Sequence, residues 1–150
     1  MKEIVLSFGS NIGAKEQNIL KAYKLLEQRL GERISTSSFF ETKAWGFISK
    51  EMFVNSCAVF LTDKSPLECL AIVGEIEKEL GRQRSFTAGY EDRIIDIDIL
   101  FYEDEIIDTL NLKIPHPLLH LRNFVLEPLK QIASDRFHPV IKKKIKDIFV

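Results

Sequence analysis

The stretch Arg93-Ile94-Ile95-Asp96-Ile97-Asp98-Ile99-Leu100-Phe101 decides how the rest of the chain is read. Acidic and apolar residues alternate in it, and alternate side chains of a β-strand share a face. Asp96 and Asp98 therefore project to one side, with Cα atoms about 6.6 to 6.8 Å apart. Ile95, Ile97, Ile99 and Phe101 are expected on the opposite, buried face. Asp is depleted in strands, so two on one face weigh against a merely solvated edge. Carboxylates at this spacing can flank a hard cation, because Mg²⁺ takes a few carboxylate oxygens and completes its shell with water and substrate phosphates. Arg82, Arg84 and Arg93 bracket the preceding loop, and guanidinium forks suit bidentate contact with phosphate oxygens. The plainer alternative is a strand with one wet face, fed by arginines that complement a helix C-terminus.

Upstream, Ile4 to Phe8 is a short apolar run ended by Gly9-Ser10-Asn11, as in a buried strand entering a turn. The period then becomes helical. Ile19, Ala22, Tyr23, Leu26 and Leu30 predict an amphipathic helix over 15–30, with Gly31 as its C′ residue. Residues 32–43 read as a half-exposed strand and 52–62 as another, with Ala44 to Glu51 a loop. Ser65-Pro66-Leu67-Glu68 is a capping box with Pro at the first helical position, and Leu67, Leu70, Ala71, Val73, Ile76 and Leu80 extend an apolar stripe to Gly81. Residues 82–92 form a second loop. The order β-α-β-β-α-β is that of an α+β, ferredoxin-like domain, an antiparallel sheet with both helices on one face. Beyond it, a hairpin at Asp104-Glu105, a Pro115-His116-Pro117 corner and helical tail segments through Phe149 are expected to extend the core.

The composition fits one domain over residues 1–150. At this length folding buries roughly 70% of the unfolded chain's surface, so neither disulfides nor metal staples are needed. The 11 Phe, 3 Tyr and one Trp supply the core. Lys and Arg number 21 against 22 Asp and Glu, a net charge of −1. No overall basic field therefore draws in nucleic acid or anionic membrane. Cys57 and Cys69 have no zinc or redox spacing, which points to a reducing compartment. No run approaches the roughly 18 apolar residues of a membrane span, and Met1-Lys2-Glu3-Ile4 lacks a signal-peptide layout, so a cytoplasmic location is expected.

Other residues invite chemistry less directly. Phe53 and Asn55 share a strand face, with Trp45 and Phe47 in the preceding loop; a flat ring between aromatics, its edge met by an amide, is a common way to hold a heteroaromatic ligand. Core packing is the plainer reading of Phe53, whereas an amide buried in an apolar strand must find partners. His116 stands between two prolines that fix its backbone. His120 and His138 have no ligand-like spacing with it, so no histidine metal site is expected. Lys142, Lys143, Lys144 and Lys146 alternate with Ile141, Ile145 and Ile148 at helical spacing and read as a solvated face.

Taken in order, these residues resemble the 6-hydroxymethyl-7,8-dihydropterin pyrophosphokinases. The resemblance runs from Leu6-Ser7-Phe8-Gly9-Ser10-Asn11 through Ser38-Phe39-Phe40-Glu41-Thr42, Phe53-Val54-Asn55 and Glu77 with Gly81-Arg82-Gln83-Arg84. It continues through the Asp96-Ile97-Asp98 strand and Ile114-Pro115-His116-Pro117 to Arg122-Asn123-Phe124-Val125-Leu126-Glu127-Pro128-Leu129. It implies transfer of pyrophosphate from ATP to the hydroxymethyl oxygen of the dihydropterin, with AMP released. It also implies two Mg²⁺ ions on Asp96 and Asp98, and catalytic roles for Arg82 and Arg93 beside them. ATP contacts are implied for Glu77, Arg82, Arg84, Tyr90, Arg93, Ile99, His116 and Arg122, and a pterin pocket for Thr42, Trp45, Phe53, Asn55 and Phe124. ATP and the pterin are the implied partners, with no nucleic acid, membrane or obligate protein partner.

The chain departs from the family pattern at Thr87-Ala88-Gly89-Tyr90-Glu91-Asp92-Arg93, where many members carry an Arg-Trp-Gly-Pro-Arg run. It departs again at Asn111, where an Arg is often found. The loops Ala44 to Glu51 and Arg82 to Asp92 are expected to close over bound substrates. A polymerase-beta-type nucleotidyltransferase also uses Gly-Ser and paired Asp residues, but there the two lie close together, whereas here more than 80 residues separate them. A non-catalytic ferredoxin-like ligand-binding module would leave Asp96 and Asp98 unexplained.

Overall fold

Two helices and an antiparallel sheet form in the expected order, and the register of the central strand places the candidate residues. The computed structural model describes residues 1–42, 52–81 and 94–150. The chain runs β1 (Lys2–Ser10), α1 (Lys15–Arg29), β2 (Gly31–Thr36), β3 (Phe40–Thr42), β4 (Phe53–Thr62), α2 (Pro66–Glu79) and β5 (Asp96–Tyr102). The strands lie in the order β2-β4-β1-β5, every neighbouring pair antiparallel, with β3 continuing the β2 edge along β4. This is the ferredoxin-like α+β arrangement. Both helices pack on one face, where Ile4, Leu6 and Phe8 of β1 meet Ile19, Ala22 and Leu26 of α1 and Val73 and Ile76 of α2. The capping box forms as read: Glu68 N–H donates to Ser65 Oγ at 3.2 Å, and Ser65 N–H to Glu68 Oε1 at 3.0 Å.

Four details differ from the sequence reading. The strand expected over 32–43 is two, because Ser37 leaves the regular ladder. Its own N–H donates to the Cys57 carbonyl, and its Oγ accepts from Cys57 N–H, both at 2.9 Å. In α2 the buried positions are Cys69, Val73, Ile76 and Glu77, while Leu67 is 64% exposed; the stripe is rotated so that the small thiol faces the sheet. In β5, Phe101 does not share a face with Ile97 and Ile99. Val5 pairs with Phe101 but Leu6 with Ile99, so Leu100 is an extra residue, and past this bulge the alternation reverses. Leu100 and Phe101 thus join a second core on the other face, with Val5, Cys57, Val125, Leu126 and Leu129.

The fourth difference lies in the C-terminal third. Asp104-Glu105 is only a turn after β5; the hairpin is β6 (Ile107–Asp108) with β7 (Lys113–Ile114). A 3₁₀ turn (Leu119–Leu121) leads into α3 (Asn123–Ala133), which lies on the second face over β4. The remaining tail is not helical. β8 (Phe137–His138) pairs with β9 (Lys143–Lys144) and a 3₁₀ turn spans Ile145–Asp147, with Ile145 and Ile148 buried and Lys142, Lys143, Lys144 and Lys146 exposed. Among the described residues no helix is long and apolar enough to cross a membrane.

The tail is held by His138, only 3% exposed, whose ring stands edge-on to Phe101 and to His120 at 5.6 and 6.2 Å. Its Nδ1 accepts from the N–H groups of Val140 and Ile141, both at 3.2 Å. Burial, reinforced by His120, lowers the His138 pKa below the usual histidine value. A depressed histidine binds its proton more tightly in the unfolded chain, so its stabilising contribution is complete above about pH 6.5 and is lost as pH falls. Urea denaturation should therefore show stability falling between pH 7 and 5, with a shallower pH dependence in His138→Gln; an equal slope in the two proteins would contradict this.

Candidate active site

β1 lies between β4 and β5, and its cross-strand partners define the site. Gly9 is directly opposite Asn55 on one side and Asp96 on the other; Ser7 is opposite Cys57 and Asp98. Paired residues of neighbouring strands share a face, so Asn55, Gly9 and Asp96 form one row and Cys57, Ser7 and Asp98 the next. This is the face away from α1 and α2. α3 covers it only in part, and both aspartates stay half-exposed.

On the Asn55 side, Gly9 makes room. A Cβ on it would lie 3.1 Å from Asn55 Oδ1 and 3.7 Å from Phe53 Cδ1, so a larger residue would push into the amide. Asn55 is 5% exposed, and its Nδ2 donates to Thr42 Oγ1 at 2.8 Å. Thr42, Phe53 and Asn55 are thus assembled by the pairing of β3 with β4. Phe124 stands in the first turn of α3, half-buried, with the Arg122 guanidinium 5.5 Å from its ring centre.

On the aspartate side, His116 lies close enough to Asp96 for the carboxylate to raise its pKa, but burial is the stronger effect and the net shift is downward. His116 is therefore neutral at pH 7. Its Nδ1 accepts from Leu118 N–H at 3.1 Å, so the proton sits on Nε2 and the ring presents an N–H to the site. Its backbone N–H donates to the Leu100 carbonyl at 3.0 Å, which ties the Pro-His-Pro corner to the β5 bulge. Beside it opens a pocket of about 260 Å³ lined by Val73, Ile97, Asp98, Ile99, Leu112 and His116. Asn111 and Lys113 are also at its wall, and Lys113 Nζ is paired with Asp108 Oδ1 at 2.5 Å. Arg122 is 4% exposed; burial lowers its guanidinium to about 10, which leaves it charged at neutral pH.

Glu77 is not a surface acid. It is 7% exposed, and Oε2 accepts from Ile97 N–H at 2.9 Å, which fastens α2 to β5 between the two aspartates. Asn18 was not singled out from the sequence, because its partners are remote. From α1 it reaches Ser10, Ile12 and Ile94, the last 76 residues away.

The arrangement has a half-open carboxylate pair, a neutral imidazole donor and a partly apolar pocket on one side, and the buried Arg122 cation stands against Phe124. On the other side it has an amide-and-aromatic recess. Trp45, Arg82, Arg84, Tyr90 and Arg93, and the two loops expected to close, lie outside the described residues. Among the described residues no group of three or more His, Cys, Asp or Glu converges. A cation here would take its remaining oxygens from a ligand and water, a mode that suits Mg²⁺.

Residues 5–134 match the family model described as 7,8-dihydro-6-hydroxymethylpterin-pyrophosphokinase. The chain is 43% identical to the 2-amino-4-hydroxy-6-hydroxymethyldihydropteridine pyrophosphokinase of Aquifex aeolicus, covering 98% of this chain and 90% of that protein. It is 38% identical to the Bacillus subtilis protein of the same name, over 86% of this chain and 77% of that one. Folic acid synthesis protein FOL1 of Dictyostelium discoideum is 41% identical over 92% of this chain, which spans only 20% of that longer protein. In three dimensions the chain resembles Plasmodium falciparum HPPK-DHPS with pteroate. That match has a TM-score of 0.80 at 19% identity and covers 98% of this chain and 43% of that one, a likeness of fold.

The brace between Glu77 and β5 has a measurable energy. Glu77→Ala leaves a buried N–H without its acceptor and should cost about 1–3 kcal/mol in urea denaturation, whereas Glu77→Gln keeps an acceptor oxygen and should cost less. Equal stability of the three proteins would show that the bond contributes nothing.

Proposed function

Because the chain belongs to the 7,8-dihydro-6-hydroxymethylpterin-pyrophosphokinase family, and so transfers pyrophosphate from ATP to hydroxymethyldihydropterin in folate biosynthesis, we propose that the transfer occurs across the row Asn55–Gly9–Asp96. The observation that carries this reading is the register itself: one glycine separates an amide fit for a heterocycle edge from a carboxylate fit for a phosphate-bound cation. The family match sets aside the nucleotidyltransferase and non-catalytic alternatives.

The pterin ring lies between Phe53 and Phe124, Trp45 contributes a further aromatic contact, and Asn55, held by Thr42, reads its edge. ATP places its base in the pocket beside Ile99 and His116, and its phosphates run toward Asp96 and Asp98. His116 donates from Nε2 to a nucleotide oxygen without carrying charge. Arg122, with Arg82, Arg84 and Arg93, adds positive charge against the phosphates, and Tyr90 contributes an aromatic face. Glu77 acts through β5, holding Ile97 so that the neighbouring aspartates stay aligned. Asp96 and Asp98 would hold two Mg²⁺ ions, which would supply neutralisation of the phosphate charge. The hydroxymethyl oxygen gives up its proton to solvent as it bonds to the β-phosphorus, and the bond from that phosphorus to the α,β-bridging oxygen breaks to release AMP. Residues 1–150 work as one domain in the cytoplasm, with no obligate protein partner.

AMP formation from ATP that depends on added hydroxymethyldihydropterin and Mg²⁺ tests this reading directly. Asp96→Asn and Asp98→Asn should each lower turnover by more than about a hundredfold, since even residues that only support a metal ligand are worth 10- to 100-fold. Their thermal midpoints should stay near the parent's, because half-exposed side chains add no core volume. Near-parental turnover at saturating Mg²⁺ would refute the metal assignment. Asn55→Ala should weaken pterin binding far more than ATP binding, as seen by calorimetry with each ligand alone, because it leaves polar groups of the pterin edge unmatched. Equal losses for both ligands would count against the recess.

A further inference from the structure

We propose that Asn18 is a positioning residue for the transfer reaction, acting through Asp96; the inference rests on the reading of Asp96 and Asp98 given above. The ladder between β1 and β5 ends at the pair Gly9–Asp96. Just beyond it β1 stays paired with β4 alone, Ser10 opposite Val54, before leaving the sheet at Asn11, both residues fully buried, and the strand carrying Asp96 enters from Ile94. Asn18, in the first turns of α1, spans this gap. Its Nδ2 lies 3.2 Å from Ser10 Oγ, 3.0 Å from the Ile12 carbonyl and 3.3 Å from the Ile94 carbonyl. Two of these acceptors are carbonyl oxygens, which cannot donate, so the NH₂ end of the amide must face them.

A side chain thus continues the connection where the backbone ladder stops, and it does so two residues from Asp96 and one from Gly9. The remaining chemistry of Asn18 is ordinary. Its backbone N–H donates to the Ala14 carbonyl at 2.9 Å as any helical residue would, so losing the side chain need not disturb α1. What the side chain sets is the separation between the end of β1 at Ser10 and the start of β5, and hence the place of the Asp96 carboxylate relative to the Gly9 row. Displacements of about 1 Å at a reacting centre can cost about a hundredfold in rate.

The test uses the full chain with Asn18→Ala and Asn18→Leu; the second keeps the branched side-chain shape without the amide donors and favours the helix, if the first folds poorly. Each is compared by steady-state kinetics and by calorimetric titration with Mg²⁺ in the presence of a non-hydrolysable ATP analogue. Expected are a fall in kcat of about tenfold to a hundredfold, KM for the pterin within about threefold of the parent, and Mg²⁺-dependent analogue binding weakened several-fold. A merely structural role would lower the thermal midpoint and leave kcat and Mg²⁺ dependence of the folded protein unchanged, and that result would overturn the proposal. A loss confined to KM for the pterin would overturn it as well. Asp96→Asn, measured in parallel, separates the two levels: if it retains turnover, the reading of the metal pair fails, whatever Asn18 does.

Discussion

The register of β1 between β4 and β5 is the constraint on which the rest of the molecule depends. Residues 4–10 are all buried, and the strand alternates between two cores: Ile4, Leu6 and Phe8 face α1 and α2, while Val5 joins the core beneath α3. Slipping the strand by one residue would exchange the faces of all of them. Each such side chain gains about 1.5–3 kcal/mol from burial, so a slip would forfeit more than any contact at the site could return. The same register sets Gly9 between Asn55 and Asp96. Core burial therefore fixes which residues of the two halves stand opposite each other, and the side-chain bonds of Glu77 and Asn18 add to it at Ile97 and Ile94.

The two faces of the sheet divide the work. One is packed against α1 and α2, with Leu112 and Ile114 beside them and the pocket next to Val73 and His116 at its border. The other is covered by α3 only toward the β2 side and the far end of β5, where Leu100 and Phe101 arrive through the bulge. α3 is secured to the strand edge by Gln131, whose Oε1 accepts from Ser38 N–H at 2.8 Å. The uncovered strip holds the residues proposed to meet substrate. Glu77 and Asn18 reach through from the helical layer to brace β5 at Ile97 and Ile94, so the packed face stiffens the open one.

Much of this was legible in the sequence where a local pattern sufficed. The alternation around Asp96 and Asp98, the capping box at Ser65 and the order of elements follow from short-range periodicity. Reading failed where distant residues decided the outcome. Phe101 changes face because β1 and β5 accommodate an extra Leu100. Cys69 displaces Leu67 from the core because of how α2 sits on the sheet. Ile141, Ile145 and Ile148 have helical spacing, yet Phe137 and His138 pair with Lys144 and Lys143 instead. At the site, Asn55 could be suspected as an amide in an apolar strand. The roles of Gly9, Glu77 and Asn18 appear only with cross-strand partners and side-chain bonds to residues far along the chain.

The irregular edge formed by β2 and β3 has a further consequence, for solubility. Along β4, the sums of paired residue numbers step from 93 to 94 between Arg33 and Ser35 and to 95 by Phe40, so two extra residues are spread along this edge. Each one breaks the even spacing of outward N–H and C=O groups that another strand would need for addition. An even, unbroken border would invite a second copy of the chain. The staggered edge is thus a poor template for the addition of a further strand.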